Sequence, residues 1–115
     1  MTSRILQTLL LFLSLDNKAK RDLDRVVEML RKEGKLRKGL MLFGFAADDG
    51  APMAMNLERS SRIARHAGRY LMDKGVWVIK SRGYGSVAAV ASNDTKLGQE
   101  KNRRVEIWFW PGASK

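Results

Sequence analysis

The sequence has no cysteine and a single histidine, His66. The first absence removes a disulfide scaffold, a thiol nucleophile and every cysteine-based zinc or iron–sulfur site. The second removes a multi-histidine metal centre and leaves little for general-base chemistry. No stretch approaches about 20 apolar residues, so no segment is long enough to cross a bilayer as a helix. Acids are scarce: 12 stand against 22 lysines and arginines, a formal +10. That excess favours an anionic partner, whether nucleic acid, an acidic membrane surface or an anionic polymer. The remaining composition is ordinary. With 44% hydrophobic and 30% charged residues, disorder and coiled coil are poor fits. A chain of 115 residues reads as one domain, residues 1–115, and buries about 65% of its unfolded surface.

Arg4 and the apolar residues that follow have the first two parts of a signal peptide. Ser14-Leu15-Asp16-Asn17 is no small-residue cleavage site, so the run reads as a strand, and an export signal is expected upstream of this fragment. Residues 5–13 predict a buried strand. Asp16 or Asn17 can cap the helix after it, whose apolar stripe is Ala19, Leu23, Val26, Val27 and Leu30, and Gly34 ends it. Residues 31–38 hold five bases and one acid, a solvated linker or an anion-binding patch. Residues 40–45 predict a second buried strand, and residues 48–52 are turn chemistry. A second helix is expected over about 55–74. Its apolar line is Ile63, Ala64, Ala67, Tyr70 and Leu71, its polar side carries Arg59, Arg62, Arg65 and Arg69, and Gly75 stops it. Residues 76–81 predict a third strand, 83–99 a long loop and 103–110 a fourth strand.

Two strand–helix–strand crossovers put both helices on one face, and the last strand can add antiparallel. The expected architecture is an α/β (α+β) two-layer sandwich of order β-α-β-α-β-β, a mixed four-stranded sheet with two helices on one face. Val105, Ile107 and Phe109 then point one way, and Glu106, Trp108 and Trp110 the other. Trp77, Trp108 and Trp110 would share the uncovered face, where an upstream domain or the second copy of a homodimer is expected to pack.

No catalytic constellation is present. There is no nucleophile elbow, P-loop or glycine-rich dinucleotide turn; Gly83-Tyr84-Gly85 is too short and opens no helix. Asp48 and Asp49 are adjacent, with no other acid near them in sequence. The reading is therefore a binding module, not an enzyme, with no metal and no cofactor. The arginines of the second helix lack an aromatic stacking set, which argues against nucleic acid.

Several motifs stand in a recognisable order. Gly44-Phe45-Ala46-Ala47-Asp48 follows a strand, and Asn56-Leu57 opens a helix with Ser60 and Ala64 further on. Lys80-Ser81-Arg82-Gly83-Tyr84-Gly85 follows the next strand. Ala91-Ser92-Asn93-Asp94-Thr95 leads to Asn102-Arg103-Arg104-Val105-Glu106. This arrangement resembles the OmpA-like peptidoglycan-binding domain over about residues 12–110, most specifically in the Asn-Arg-Arg-Val-Glu run. The Asn-Asp-Thr variant, Phe45 and Leu15-Asp16-Asn17-Lys18-Ala19 resemble a branch fused behind phosphate-type ABC-transporter substrate-binding domains.

The resemblance implies a periplasmic, cell-envelope domain, in the outer-membrane setting of that family, whose partner is peptidoglycan. An aspartate after the second strand takes the ammonium of the stem peptide's diaminopimelate, and a helix arginine takes its carboxylate. The aspartate position falls on Ala47 counted forward from Gly44 and on Asp48 counted back from Asn56; Asp48 is preferred, because the loop can absorb an insertion before it. The arginine position falls on Ile63. Arg62, about 100° around the helix, and Arg59, one turn earlier, are the substitutes. With Asn56, Asn102, Arg103 and Arg104 they complete the candidate site; Arg103 and Arg104 face opposite ways, so at most one lines it. The alternative, drawn from the missing arginine, is a domain of the same fold that has lost its ligand and serves as an interaction or oligomerisation module.

Overall fold

A computed structural model describes residues 8–11 and 17–109, with side chains over 20–108. The elements run β1 (Thr8–Leu11), α1 (Asn17–Lys32), β2 (Leu40–Phe45), α2 (Met53–Asp73), β3 (Val78–Gly83), α3 (Lys96–Asn102) and β4 (Arg104–Phe109). It is an α+β fold on a mixed sheet of order β1-β4-β2-β3. β2 and β3 are parallel, and β4 runs antiparallel to both β1 and β2. The last strand thus enters the space left between β1 and β2 by the α1 crossover.

Both long helices are amphipathic and lie against one face. Leu23, Val26, Val27 and Leu30 of α1 meet Ala67 and Leu71 of α2 over Leu40, Leu42, Val105 and Ile107 of the sheet. Each helix ends in a Schellman turn around a left-handed glycine. At Gly34, φ is 68°, and Lys35 N–H donates to the Leu30 carbonyl. At Gly75, φ is 91°, and Val76 N–H donates to that of Leu71, which carries Val76 into the core. The Tyr70 hydroxyl donates to Asp24 at 2.6 Å, tying α2 to α1. Helix α2 approaches the sheet through glycines: a Cβ on Gly44 would overlap the Ser60 carbonyl, and one on Gly83 the Ser61 backbone nitrogen.

Three sequence expectations are corrected. The tract 83–99 is not all loop, because residues 96–102 form α3, started by Thr95, whose hydroxyl accepts from Gly98 N–H at 2.9 Å. The third strand begins at Val78 rather than at Val76. Before it, Trp77 bonds back to Leu36 and Leu40 through its backbone. The β2–β3 register also slips: Leu40 pairs with Val78 but Met41 with Lys80, so Ile79 is an extra residue that reverses the alternation. The second helix begins at Met53, after Pro52, two residues earlier than its apolar line suggests.

Trp77 is 46% exposed. Trp108 is half-buried against Phe43, its indole N–H donating to Glu106. Trp110 lies outside the described residues, as does the cap of α1. No described helix is long and apolar enough to cross a membrane.

Candidate functional site

The loop leaving β2, the first turns of α2 and the residue before β4 enclose a pocket of about 200 Å³. Its lining comprises Ala46, Ala47, Asp49, Asn56, Arg59, Arg62, Ile63 and Arg103. The parallel β2–β3 pair creates this place. Its ladder runs on past β3, where Tyr84 N–H bonds the Gly44 carbonyl and Ala46 N–H the Gly85 carbonyl. Ser60 accepts from Gly85 N–H at 2.8 Å, pinning α2 to the same junction.

Asn56 lies on the buried face of α2 with Ser60, Ala64, Ala67 and Leu71. It is only 1% exposed, and its Oδ1 has no hydrogen-bond partner among the described residues. An unpartnered buried amide oxygen is costly unless something supplies a donor. At the mouth, Arg59 donates to Asp49 at 3.2 Å, both side chains being partly exposed. The Ala51 backbone N–H, at 3.1 Å, does most to hold the Asp49 carboxyl below the usual 3.8; burial opposes it, and the Arg59 charge adds a smaller lowering. Arg62 reaches Glu58 at 3.4 Å. Arg103 is exposed and has no ion-pair partner among the described residues.

The predicted residues separate into two groups. Asn56, Arg59, Arg62 and Arg103 share the pocket. Asp48 does not line it: its N–H bonds Asn93 and its carboxylate accepts from Gly50 N–H. The neighbouring acid, Asp49, stands there instead, a position outside the two, Ala47 and Asp48, that the loop count offered. Ala47, the other position counted for the aspartate, and Ile63, where the resemblance places the arginine, both line the wall.

Asn102 and Arg104 serve another region. Asn102 is 1% exposed; its Oδ1 accepts from the N–H groups of Val90 and Ala91, and its Nδ2 donates to the Ala91 carbonyl and to Asn93. Arg104 is 2% exposed, pairs with Glu106 at 2.9 Å and donates to the carbonyls of Asn102 and Ala88. Its guanidinium lies 4.1 Å from the Phe45 ring centre, a stacked cation–π contact. These residues hold the 84–95 loop. Among the described residues no group of three or more His, Cys, Asp and Glu is placed to hold a metal.

The fold matches solved structures. The periplasmic domain of Helicobacter pylori MotB superposes with a TM-score of 0.75 at 23% identity, covering 95% of this chain and 78% of that one. The peptidoglycan-associated lipoprotein of Burkholderia pseudomallei gives 0.72 at 16%, covering 86% and 88%. The OmpA-like domain of FopA1 from Francisella tularensis gives 0.69 at 17%, covering 88% and 70%. No curated protein matches the sequence. The OmpA family profile matches residues 13–103, most of the chain, and the chain therefore belongs to the OmpA family.

Proposed function

We propose that this domain is a non-catalytic module of the cell envelope that holds peptidoglycan without a covalent bond, taking the zwitterionic end of a stem-peptide diaminopimelate in the pocket. One observation carries the reading: Asn56, whose buried Oδ1 has no hydrogen-bond partner among the described residues, lines the same pocket as three arginines and one carboxylate. An ammonium supplies the donor Asn56 lacks and a second partner for Asp49. A carboxylate meets Arg103 and whichever of Arg59 and Arg62 turns toward it, as charge-assisted hydrogen bonds. Ala46, Ala47 and Ile63 accommodate the ligand's methylenes. The names of two structural neighbours support the reading: the periplasmic domain of MotB its setting, and the peptidoglycan-associated lipoprotein its partner.

In this reading Asp49 and Arg59 replace the aspartate that the family pattern places at Ala47 or Asp48 and the arginine that it places at Ile63. The ion pair they already form must open, so binding is an exchange of partners rather than capture by free charges. That same pair, with Ile63 on the wall, supports the second reading, an interaction module whose site has closed on itself. Calorimetry with meso-diaminopimelate, beside a pull-down on insoluble peptidoglycan at low and high salt, separates the two. Saturable binding that persists in salt supports the first, because mere charge adhesion fades with screening. Absence of both signals favours the second.

A further inference from the structure

Helix α2 carries Arg59, Arg62, Arg65 and Arg69 with His66, against only two acids, Glu58 and Asp73. Arg62, Arg65 and Arg69 are spaced i, i+3, i+7, so they lie on one face. That face is opposite the buried line of Asn56, Ser60, Ala64, Ala67 and Leu71. The side chains of Arg62 and Arg65 are more than half exposed. Both share a single weak partner, Glu58, at 3.4 and 3.8 Å, and Arg69 has no partner among the described residues. Exposed pairs of this kind contribute little and exchange readily.

The stripe is not separate from the pocket, since Arg62 belongs to both. From Arg62 to Arg69 the helix rises about 10 Å, the length an extended peptide covers in about three residues.

Resting on the peptidoglycan reading above, we propose that the stripe of Arg65 and Arg69 extends the pocket into a track for an acidic peptide, one that seats its diaminopimelate in the pocket and lays its remaining carboxylates along α2. The occupant is the stem peptide itself, whose γ-linked glutamate leaves a carboxylate free. Guanidinium forks on a rigid helix suit carboxylates better than lysine would, because each can bind two oxygens at once. The pocket thus recognises one residue, and the track distinguishes an acidic peptide from one whose carboxylates are amidated.

The test compares meso-diaminopimelate with the tripeptide alanyl-γ-glutamyl-diaminopimelate and its glutamate-amidated form, titrated against the unaltered domain and an Arg65→Gln, Arg69→Gln variant. Both positions are exposed and glutamine is a good helix former, so the melting temperature should hold. The tripeptide should bind the unaltered domain about three- to ten-fold tighter than the free amino acid. The double variant should lose that advantage while binding diaminopimelate unchanged, and an Arg65→Lys, Arg69→Lys variant should recover part of it. The amidated tripeptide should bind both proteins alike. If the double variant keeps full preference for the acidic tripeptide, the track is wrong and the pocket stands. If neither ligand binds the unaltered domain, the pocket reading falls, and the track with it.

Discussion

Asn102, Arg103 and Arg104 are consecutive, yet they serve regions in opposite states. Asn102 and Arg104 hold the 84–95 loop, where buried polar atoms find partners: four hydrogen bonds at the asparagine, and a carboxylate, two carbonyls and an aromatic face at the arginine. Arg103 lines the pocket, as does Asn56, whose Oδ1 has no partner among the described residues, and the Asp49–Arg59 pair there is partly exposed. A satisfied network specifies one conformation; an unsatisfied one is unfinished until a ligand arrives. The strand period of two sends neighbouring arginines to opposite sides and so divides one motif between structure and binding.

The largest expected effect breaks the satisfied side. Arg104→Met takes the charge partner from Glu106, which is 14% exposed at its side chain and keeps only the Trp108 indole N–H among the described residues, and frees the Ala88 carbonyl. Removing one partner of a buried pair costs about 3–5 kcal/mol. The urea midpoint should fall accordingly with an unchanged slope. A loss under about 1 kcal/mol would show that the pair is not the loop's anchor.

Asn102→Ala is the next test. It removes two acceptor bonds to Val90 and Ala91 and two donor bonds, leaving groups that are only partly buried. About 2 kcal/mol should be lost. Amide exchange should accelerate first at Val90 and Ala91, before any change in the core around Leu42 and Ile107.

Much of this division was legible beforehand. The i, i+4, i+7 stripe from Ala19 to Leu30 located α1, and the alternation around Val105 and Ile107 located β4. The opposite facing of Arg103 and Arg104 follows from the strand period alone. Three features were not legible. Helix α3 has seven residues with Gly98 inside, too short for an apolar stripe; its one local signal is Thr95, a threonine able to cap the following turn. The slip at Ile79 depends on pairing with β2, which no local pattern encodes. That Asp49 lines the pocket, rather than Ala47 or Asp48 serving as its acid position, depends on how the loop bends. Ala51 N–H turns Asp49 inward, whereas Asn93, a residue 45 positions away, fixes Asp48 outside.

On the binding side, Arg103→Gln should leave stability within about 0.5 kcal/mol, as for exposed positions without a structural partner. Diaminopimelate binding should weaken about ten-fold or more, the scale of a lost hydrogen bond to a charged group. Asp49→Asn should weaken it comparably, and Asp48→Asn by less than two-fold. Equal losses at 48 and 49 would mean that the loop rearranges on binding and that the unliganded placement of Asp48 is not the relevant one.

The smallest effect concerns pH and sharpens the role of Asp49. Its pKa is lowered in the folded protein, so its contribution to stability is complete above the ordinary carboxylate value. That contribution is lost as pH falls through the lowered one, below about pH 4. Because the group is exposed, the change in melting temperature should be slight. Ligand binding reports it more directly. An ammonium held by Asp49 requires the carboxylate, so affinity for diaminopimelate should stay level from about pH 8 down to about pH 5 and decline only below about pH 4. Arg59→Gln removes the lowering by the Arg59 charge and leaves that of the Ala51 N–H, the largest, so the decline should begin at a slightly higher pH while its shape persists. A decline that starts near neutrality would show that some other group carries the ammonium.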